Sequence, residues 1–171
     1  MKKGFISADL PRVQYAALPF RDGPNGLEVM LVSSRETRRW VLPKGWPMKK
    51  RKPHGAAARE ALEEAGLHGK VAKEPLGDYH YMKRLKNGAS TLVRVSIFPL
   101  RVQKQRGEWL EKDQRVTRWF PVTEASELVH EPELQALILS FGVLAREHPE
   151  ALPNNKPEDP FPPSIDAGKG P

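Results

Sequence analysis

Apolar residues in the first part of the chain form two stretches separated by a turn. Residues 13–20 are rich in apolar side chains, and residues 27–33 are almost continuously apolar. The segment between them, residues 21–26, contains Gly, Pro, Asn and Asp, which favour turns. Because a continuous apolar run of this length is typical of a buried strand, the pattern predicts a β-hairpin.

Shorter apolar stretches predict further strands. Trp40 opens a short strand that runs into a Pro/Gly loop, and residues 79–82 are joined through the turn dipeptide Asn87-Gly88 to a long strand over residues 90–102. Pro99 in this long strand has no N–H to donate, which predicts an edge position, a bulge or the end of the strand. Residues 116–122 predict another strand.

Two stretches predict helices. Residues 53–65 begin with a proline, which the first turn of a helix tolerates, contain three consecutive alanines, and are followed by Gly66 as a C-cap. Residues 133–147 carry apolar side chains at a spacing of three to four positions, which predicts a helix that packs on the core. The members of this stripe are Leu134, Leu137, Ile138, Phe141, Leu144 and Ala145.

The first predicted helix carries three carboxylates on one face. Glu60, Glu63 and Glu64 stand at i, i+3 and i+4, so their side chains reach a common point. Like charges at this spacing repel each other, which indicates that a cation lies between them. Oxygen ligands favour a hard ion such as Mg²⁺ or Mn²⁺. The alternative is a solvated helix face, which is the usual environment of surface glutamates.

The segment upstream of this helix favours the metal site. Residues 40–47 combine a short apolar strand with a loop that contains Pro43, Gly45 and Pro47. A strand, a loop and an acidic helix in close succession can bring backbone carbonyls near the carboxylates. We therefore expect the loop and the helix to form one site.

Length and composition indicate one globular domain. The chain has 171 residues, which suits one domain, and no apolar run long enough to span a membrane. It has no cysteine, which excludes disulfides, thiol catalysis and cysteine-type zinc sites. The N-terminal residues lack the apolar segment of a signal peptide. We expect a single domain over residues 1–149, a proline-rich, extended or disordered tail over residues 150–171, and a cytoplasmic location.

The charge of the chain favours a polyanionic partner, whereas the lack of a long apolar run predicts that no membrane is bound. There are 28 Lys and Arg residues against 21 Asp and Glu, a formal net charge of +7. No zinc-finger spacing, RNA-recognition motif or helix-turn-helix accompanies this charge, so nucleic acid is less favoured than a small polyphosphate. Arg35, Arg38 and Arg39 form a candidate polyphosphate clamp, because the guanidinium group suits phosphate; the alternative is a solvated loop.

Residues 45–67 resemble the Nudix box. That motif has a glycine, then a glutamate, and then Arg-Glu-U-x-Glu-Glu-x-Gly-U, in which U is aliphatic. One position departs from it: Arg51 stands at the first glutamate, inside the basic run Lys49-Lys50-Arg51-Lys52. In the family this glutamate is mainly a structural partner of the box arginine, so the partner of Arg59 stays open. The residues that match are Gly45, Arg59, Glu60, Glu63, Glu64, Gly66 and Leu67.

The likeness continues into the flanking segments and is greatest to the diphosphoinositol-polyphosphate and diadenosine-polyphosphate branch. It implies an α/β/α sandwich around a mixed central sheet. It also implies a pyrophosphohydrolase that uses Mg²⁺ or Mn²⁺ to hydrolyse a phosphoanhydride bond in a nucleoside or inositol polyphosphate.

The resemblance further implies roles for single residues. Glu60, Glu63 and Glu64 are the catalytic residues, and with the Gly45 carbonyl they hold the metal. The candidate phosphate contacts are Arg12, Ser33, Arg35, Lys44 and, by position alone, Arg115.

The base that accepts the proton of the attacking water stays open between Glu64 and an acid of the 108–113 loop, such as Glu108 or Glu111. Two other functions also stay open. Arg51 is compatible with a Nudix-fold binding or regulatory module that has lost turnover. The basic charge is compatible with a pyrophosphohydrolase that acts on RNA 5′ ends.

Overall fold

The computed structural model describes residues 10–155. In this part of the chain eight strands form one sheet, and three helices and two short 3₁₀ turns connect or cover them. The strands are β1 (Arg12–Gly23), β2 (Gly26–Ser33), β3 (Trp40–Val41), β4 (Lys44–Gly45), β5 (Leu67–Val71), β6 (Gly77–Arg84), β7 (Ser90–Gln105) and β8 (Thr117–Pro121). The helices are α1 (Pro53–Ala65), α2 (Val122–Leu128) and α3 (Pro132–Glu147), and the 3₁₀ turns cover Lys112–Gln114 and Pro149–Ala151.

The sheet is mixed, as expected. Its central order is β3-β2-β1-β7-β5, while β8 pairs with β2, β4 with β1 and β6 with β7. The predicted hairpin is confirmed, with Phe20 opposite Val29 and Gly23 opposite Gly26. Strand β7 runs parallel to β1 and antiparallel to β5 and β6.

Helices cover both faces of the sheet, which gives three layers. On one face, α1 is buried through alanines that lie in a cluster with Met30 and Phe98. These small side chains let the helix lie close to the sheet. On the other face, α3 buries the predicted apolar stripe in a second cluster with Phe20 and Tyr79. The α1 alanines of the first cluster are Ala57, Ala61 and Ala65.

Pro99 lies inside the central strand β7, which differs from the predicted edge, bulge or strand end. On one side of β7, pairing with β6 ends at Ile97 and pairing with β5 begins at Leu100. The Pro99 carbonyl accepts a hydrogen bond from the N–H of Ala72 in the connection between these strands, at 2.8 Å. Since N–H and C=O of one strand residue point to the same side, the missing N–H faces this gap. A proline therefore costs no ladder hydrogen bond here.

The chain continues to pack on the domain beyond the predicted boundary at residue 149. Leu152 is only 8% exposed and belongs to the core cluster of α3. The Arg101 Nε–H donates to the carbonyl of Pro153 at 2.7 Å. The remainder of the predicted tail, residues 156–171, lies outside the described residues. Within residues 10–155 no helix is long and apolar enough to cross a membrane.

Candidate active site

Helix α1 presents the candidate carboxylates. It begins at Pro53 and ends before Gly66, whose φ of 70° is the left-handed conformation that closes a helix without a side-chain clash. Because alanines occupy the face that packs on the sheet, the glutamates are directed to the edge of this interface. Glu64 is 4% exposed, whereas Glu63 keeps a quarter of its side chain exposed.

Glu60 and Glu64 lie together in a partly dehydrated environment. Burial raises the pKa of Glu64 to about 8, while the nearby charges of Arg115 and Lys44 act in the opposite direction. Burial also raises the pKa of Glu60, and a hydrogen bond with Glu64 counteracts part of that rise. Ionisation of both carboxyl groups in this buried position is unfavourable unless a cation lies beside them.

Glu63 has a different partner. Its Oε2 accepts a hydrogen bond from Arg59 Nε at 2.6 Å, one helical turn away. Glu63, a candidate metal ligand, thus serves as the partner of the box arginine, while Arg51 is exposed on the preceding loop. Within residues 10–155 no three acidic or histidine side chains are already grouped closely enough to hold an ion.

Strand β4 brings the Lys44-Gly45 backbone against α1. Gly45 pairs with Tyr15 of β1, and a methyl group added at Gly45 would lie 1.9 Å from Glu60 Oε2. The N–H of Lys44 donates to Glu64 Oε2 at 3.3 Å. The strand and the helix therefore form one site, and only glycine leaves room for the Glu60 carboxylate.

The side chain of Lys44 packs against β6. Its Nζ lies 5.3 Å from the ring centroid of Tyr81, a cation–π contact. Burial lowers the pKa of Lys44 to about 8, although Glu64 and Glu131 act to raise it. Tyr81 and Glu131 also line a cavity of about 550 Å³ together with Arg39, which pairs with Glu131 at 3.0 Å. This volume suits a small ligand.

A second opening, a groove of about 760 Å³, is lined by the β5–β6 connection and residues 151–154. None of the candidate site residues lines it. The carboxylate site and this groove are thus two separate places in the protein.

Residues 106–116, here named the capping loop, cover the C-terminal end of α1. Trp109 Nε1 donates to the carbonyl of Glu64 at 3.2 Å, and the N–H of Glu111 donates to the carbonyl of Glu63 at 2.9 Å. The ring of Trp109 fills the space beside Gly66, where an added methyl group would lie 2.3 Å from the indole. The last carbonyls of a helix have no partner within the helix. The capping loop supplies partners to two of them.

The same loop delivers a fourth carboxylate to the site. Arg115 Nε lies 2.9 Å from Glu111 Oε1 and 3.6 Å from Glu64 Oε1. Glu111 is thus close to the α1 carboxylates, whereas Glu108 is 89% exposed and pairs with Lys112. Of the two loop acids considered from the sequence, the structure brings Glu111 to the site. The spacing of apolar residues does not identify Trp109 as a contact of α1. A tryptophan in an otherwise charged loop could have indicated that the loop packs on the domain.

Two of the predicted phosphate contacts, Arg115 and Ser33, form hydrogen bonds within the protein. Arg115 Nη1 donates to the Ser33 carbonyl at 3.1 Å in addition to its contacts with the carboxylates. The Ser33 hydroxyl accepts a hydrogen bond from the N–H of Val116 at 2.9 Å, and Ser33 is 4% exposed. Both residues hold the capping loop on β2.

The other two predicted arginines are exposed. Arg35 Nη1 donates to Gln114 Oε1 of the capping loop at 3.0 Å. The Arg12 guanidinium lies 4.5 Å from the ring centroid of Trp46, directly after β4.

The donor set fits a hard divalent cation. Its potential ligands are oxygen atoms only, and the buried carboxyl of Glu64 and the glycine-dependent space beside Glu60 are features that a cation would explain. Arg115 partly offsets the negative charge.

Comparison with known proteins decides the family. A family model described as NUDIX domain matches residues 11–141. The chain belongs to the Nudix family. This Nudix domain is 32% identical over 132 residues to "Nudix hydrolase 13, mitochondrial" of Arabidopsis thaliana, covering 74% of the chain but only 65% of that relative's length. It is 31% identical over 121 residues to "Diphosphoinositol polyphosphate phosphohydrolase 3-beta" of Bos taurus, covering 68% of the chain and 70% of the relative.

Solved structures confirm the Nudix fold. An Ap4A hydrolase of C. elegans superposes with a TM-score of 0.56 at 18% identity, covering 79% of this chain and 98% of that one. A Nudix hydrolase from Nitrosomonas europaea gives 0.58 at 21% identity, with coverages of 78% and 90%. At these identities the likeness concerns the fold. The plant relatives carry mitochondrial or chloroplastic names, and the cytoplasmic location expected for this chain stays a prediction.

Proposed function

We propose that this Nudix domain hydrolyses a phosphoanhydride bond in a nucleoside or inositol polyphosphate, with Mg²⁺ or Mn²⁺ as cofactor. The observation that carries the proposal is the pair Glu60 and Glu64, packed against Gly45 and beside Glu111 and Arg115. The diphosphoinositol polyphosphate phosphohydrolase and Ap4A hydrolase names among its relatives support this substrate class.

The proposed metal ligands are Glu60, Glu64, the Gly45 carbonyl and Glu63, the last after release from Arg59. When bound, the divalent ion neutralises phosphate charge and activates water for attack. Glu111 adds a further carboxylate to this set.

The protein's own groups provide orientation and proton transfer. The oxygen of the attacking water forms a bond to phosphorus while the bridging P–O bond breaks, and the leaving phosphate takes the electron pair of that bond. We assign the water proton to Glu111, because Arg115 and the backbone contact to Glu63 fix this carboxylate beside the site. Lys44 and Arg35 are the cations proposed to contact the phosphates.

Substitution of Glu64 tests the proposal. Glu64→Gln keeps the size of the side chain but removes a negative ligand, so Mg²⁺-dependent phosphoanhydride hydrolysis, measured by chromatographic separation of the products, should fall on the order of 10²-fold or more. The assay uses ADP-ribose, diadenosine tetraphosphate and diphosphoinositol polyphosphate, each with and without Mg²⁺. Glu127→Gln, on the exposed surface of α2, is the matched control. A Glu64→Gln enzyme with wild-type turnover would contradict the assignment.

The Arg59–Glu63 ion pair supports a second candidate function, a weakly active binding or regulatory module. If Glu63 stays paired with Arg59, the metal ion lacks one of its proposed ligands. The same assay separates the two functions, because a binding module would retain substrate affinity but show no Mg²⁺-dependent turnover in the wild-type protein.

A further inference from the structure

Two arginines are paired with the carboxylates of the candidate active site, and they differ in how firmly the protein holds them. Arg59 Nε lies 2.6 Å from Glu63 Oε2, but 43% of the arginine side chain is exposed. The Arg115 side chain is only 11% exposed, and its Nε lies 2.9 Å from Glu111 Oε1 and 3.6 Å from Glu64 Oε1. An exposed ion pair contributes little because solvent screens it, whereas breaking a buried pair leaves an uncompensated charge. Arg59 is therefore easily displaced from its carboxylate, and Arg115 is not.

A third contact holds Arg115 in place. Its Nη1 donates to the Ser33 carbonyl at 3.1 Å. The end of the capping loop is itself fixed on β2, because the N–H of Ser33 donates to the Val116 carbonyl and the N–H of Val116 donates to the Ser33 hydroxyl, each at 2.9 Å. The position of this cation is thus set by the fold and does not depend on a bound ion or substrate.

The charges of the site indicate how many divalent ions it needs. Its four carboxylates and the two arginines leave an excess of two negative charges, which a single divalent ion neutralises. Enzymes that cleave phosphate bonds often use a second ion about 4 Å from the first. Here a second ion would have to compete with the Arg115 guanidinium for oxygen ligands. The four carboxylates are those of Glu60, Glu63, Glu64 and Glu111.

We propose that Arg115 takes the place of a second divalent ion, so that this domain binds one Mg²⁺ or Mn²⁺ and keeps the guanidinium as a permanent second cation beside Glu64 and Glu111. This inference rests on the proposed metal-dependent function. Arg115 is a positioning residue in this arrangement, because it holds two carboxylates in place and limits the number of ions that they bind.

Counting bound Mn²⁺ tests the proposal without substrate or turnover. Electron paramagnetic resonance separates free from bound Mn²⁺ during titration of the full chain. The wild-type protein should bind one ion, and Arg115→Gln should bind two. The Kd of the first ion should also fall about tenfold in Arg115→Gln, because its Coulomb repulsion by the guanidinium is lost. Adding Glu111→Gln to Arg115→Gln should return the number of bound ions to one.

Matched variants separate charge from structure. Arg106→Gln removes an exposed arginine from the same loop and should leave one ion with an unchanged Kd. Arg59→Gln should also leave one ion, with a Kd lowered by less than about threefold, because its exposed ion pair is weak. Arg115→Lys keeps the positive charge and should bind one ion. Circular dichroism checks that each variant is folded; the bond from Trp109 to the Glu64 carbonyl still holds the capping loop on α1.

Several outcomes would overturn the proposal. One ion with the wild-type Kd in Arg115→Gln would leave Arg115 as a residue that only fixes the capping loop. Two ions in the wild type would show that the guanidinium replaces none. Two ions in Arg115→Lys would show that an altered loop, and not the lost charge, admits the second ion.

The same titration distinguishes failure of the inference from failure of the proposed function. A wild-type protein that binds no Mn²⁺ would contradict the metal-dependent function and, with it, the role of Arg115. One ion in the wild type and two in Arg115→Gln, without hydrolysis of any substrate by the wild type, would contradict the hydrolase function alone.

Discussion

At the scale of single residues, Gly45 determines how closely Glu60 can approach β4. The space where a side chain would begin is occupied by the Glu60 carboxylate. Neighbouring Lys44 adds a backbone N–H to Glu64. The position of the two carboxylates therefore depends on a residue that has no side chain.

Gly45→Ala should displace the Glu60 carboxylate and reduce Mg²⁺-dependent kcat about 10²-fold, since small misplacements of a reacting group have effects of this size. Steady-state kinetics and a circular dichroism spectrum check that activity changes while the fold is kept. Gly107→Ala is the matched control, because an added methyl group there meets nothing within 4 Å. Equal loss in both variants would refute the specific role of Gly45.

At the scale of elements, the capping loop joins the end of α1 to β2. Its contacts run from Trp109 and Glu111 on the helix carbonyls to Arg115 on the Ser33 carbonyl. Because Glu111 and Arg115 belong to the same loop, the contacts that hold this loop on the helix end also place the fourth carboxylate and its cation.

Trp109→Phe should lower kcat about tenfold with little change in KM, because the ring still fills the space beside Gly66 but the Glu64 carbonyl loses its donor. We expect a loss of about 1 kcal/mol in the free energy of unfolding, measured with urea. Leu110→Ala, in the same loop and 72% exposed, should leave both quantities unchanged. An unaltered kcat in Trp109→Phe would reduce the capping loop to a purely structural role.

At the scale of the whole molecule, both faces of one mixed sheet are covered, and the packed unit includes residues 150–155. Leu152 joins the core of α3, and Pro153 accepts a hydrogen bond from Arg101 on β7. The C-terminal part of the described chain thus helps to close the side of the sheet opposite to α1.

Truncation after Pro149 should therefore destabilise the protein by about 3 kcal/mol, from loss of a buried leucine and one hydrogen bond. Truncation after Asn155 keeps both contacts and serves as the reference. Urea unfolding of the two truncated proteins measures the difference. Equal stability of the two would show that residues 150–155 contribute nothing to the packed unit.

Elements governed by neighbouring residues could be predicted. Helix α1 follows from its alanines, from Pro53 and from Gly66, because propensity and capping act within a few positions. The three glutamates of one face follow from the helical period. The first hairpin also follows from an apolar pattern and a turn.

Contacts between residues that are far apart in the sequence could not be predicted. Pro99 predicted an edge, a bulge or the end of a strand. The strand tolerates this proline because it lies at a gap between β6 and β5, and the sequence does not reveal that gap. The predicted roles of Ser33 and Arg115 as phosphate contacts likewise took no account of the bonds that these residues form inside the protein.

The sequence by itself determined that this protein has an acidic helix preceded by a glycine loop, and a likeness to the Nudix box. Only the tertiary structure decided which groups surround that helix. Trp109 is 45 positions from Glu64, and Arg115 is 82 positions from Ser33. Local periodicity carries no information across such separations, because those contacts form only when the sheet aligns its strands and the capping loop closes over the helix.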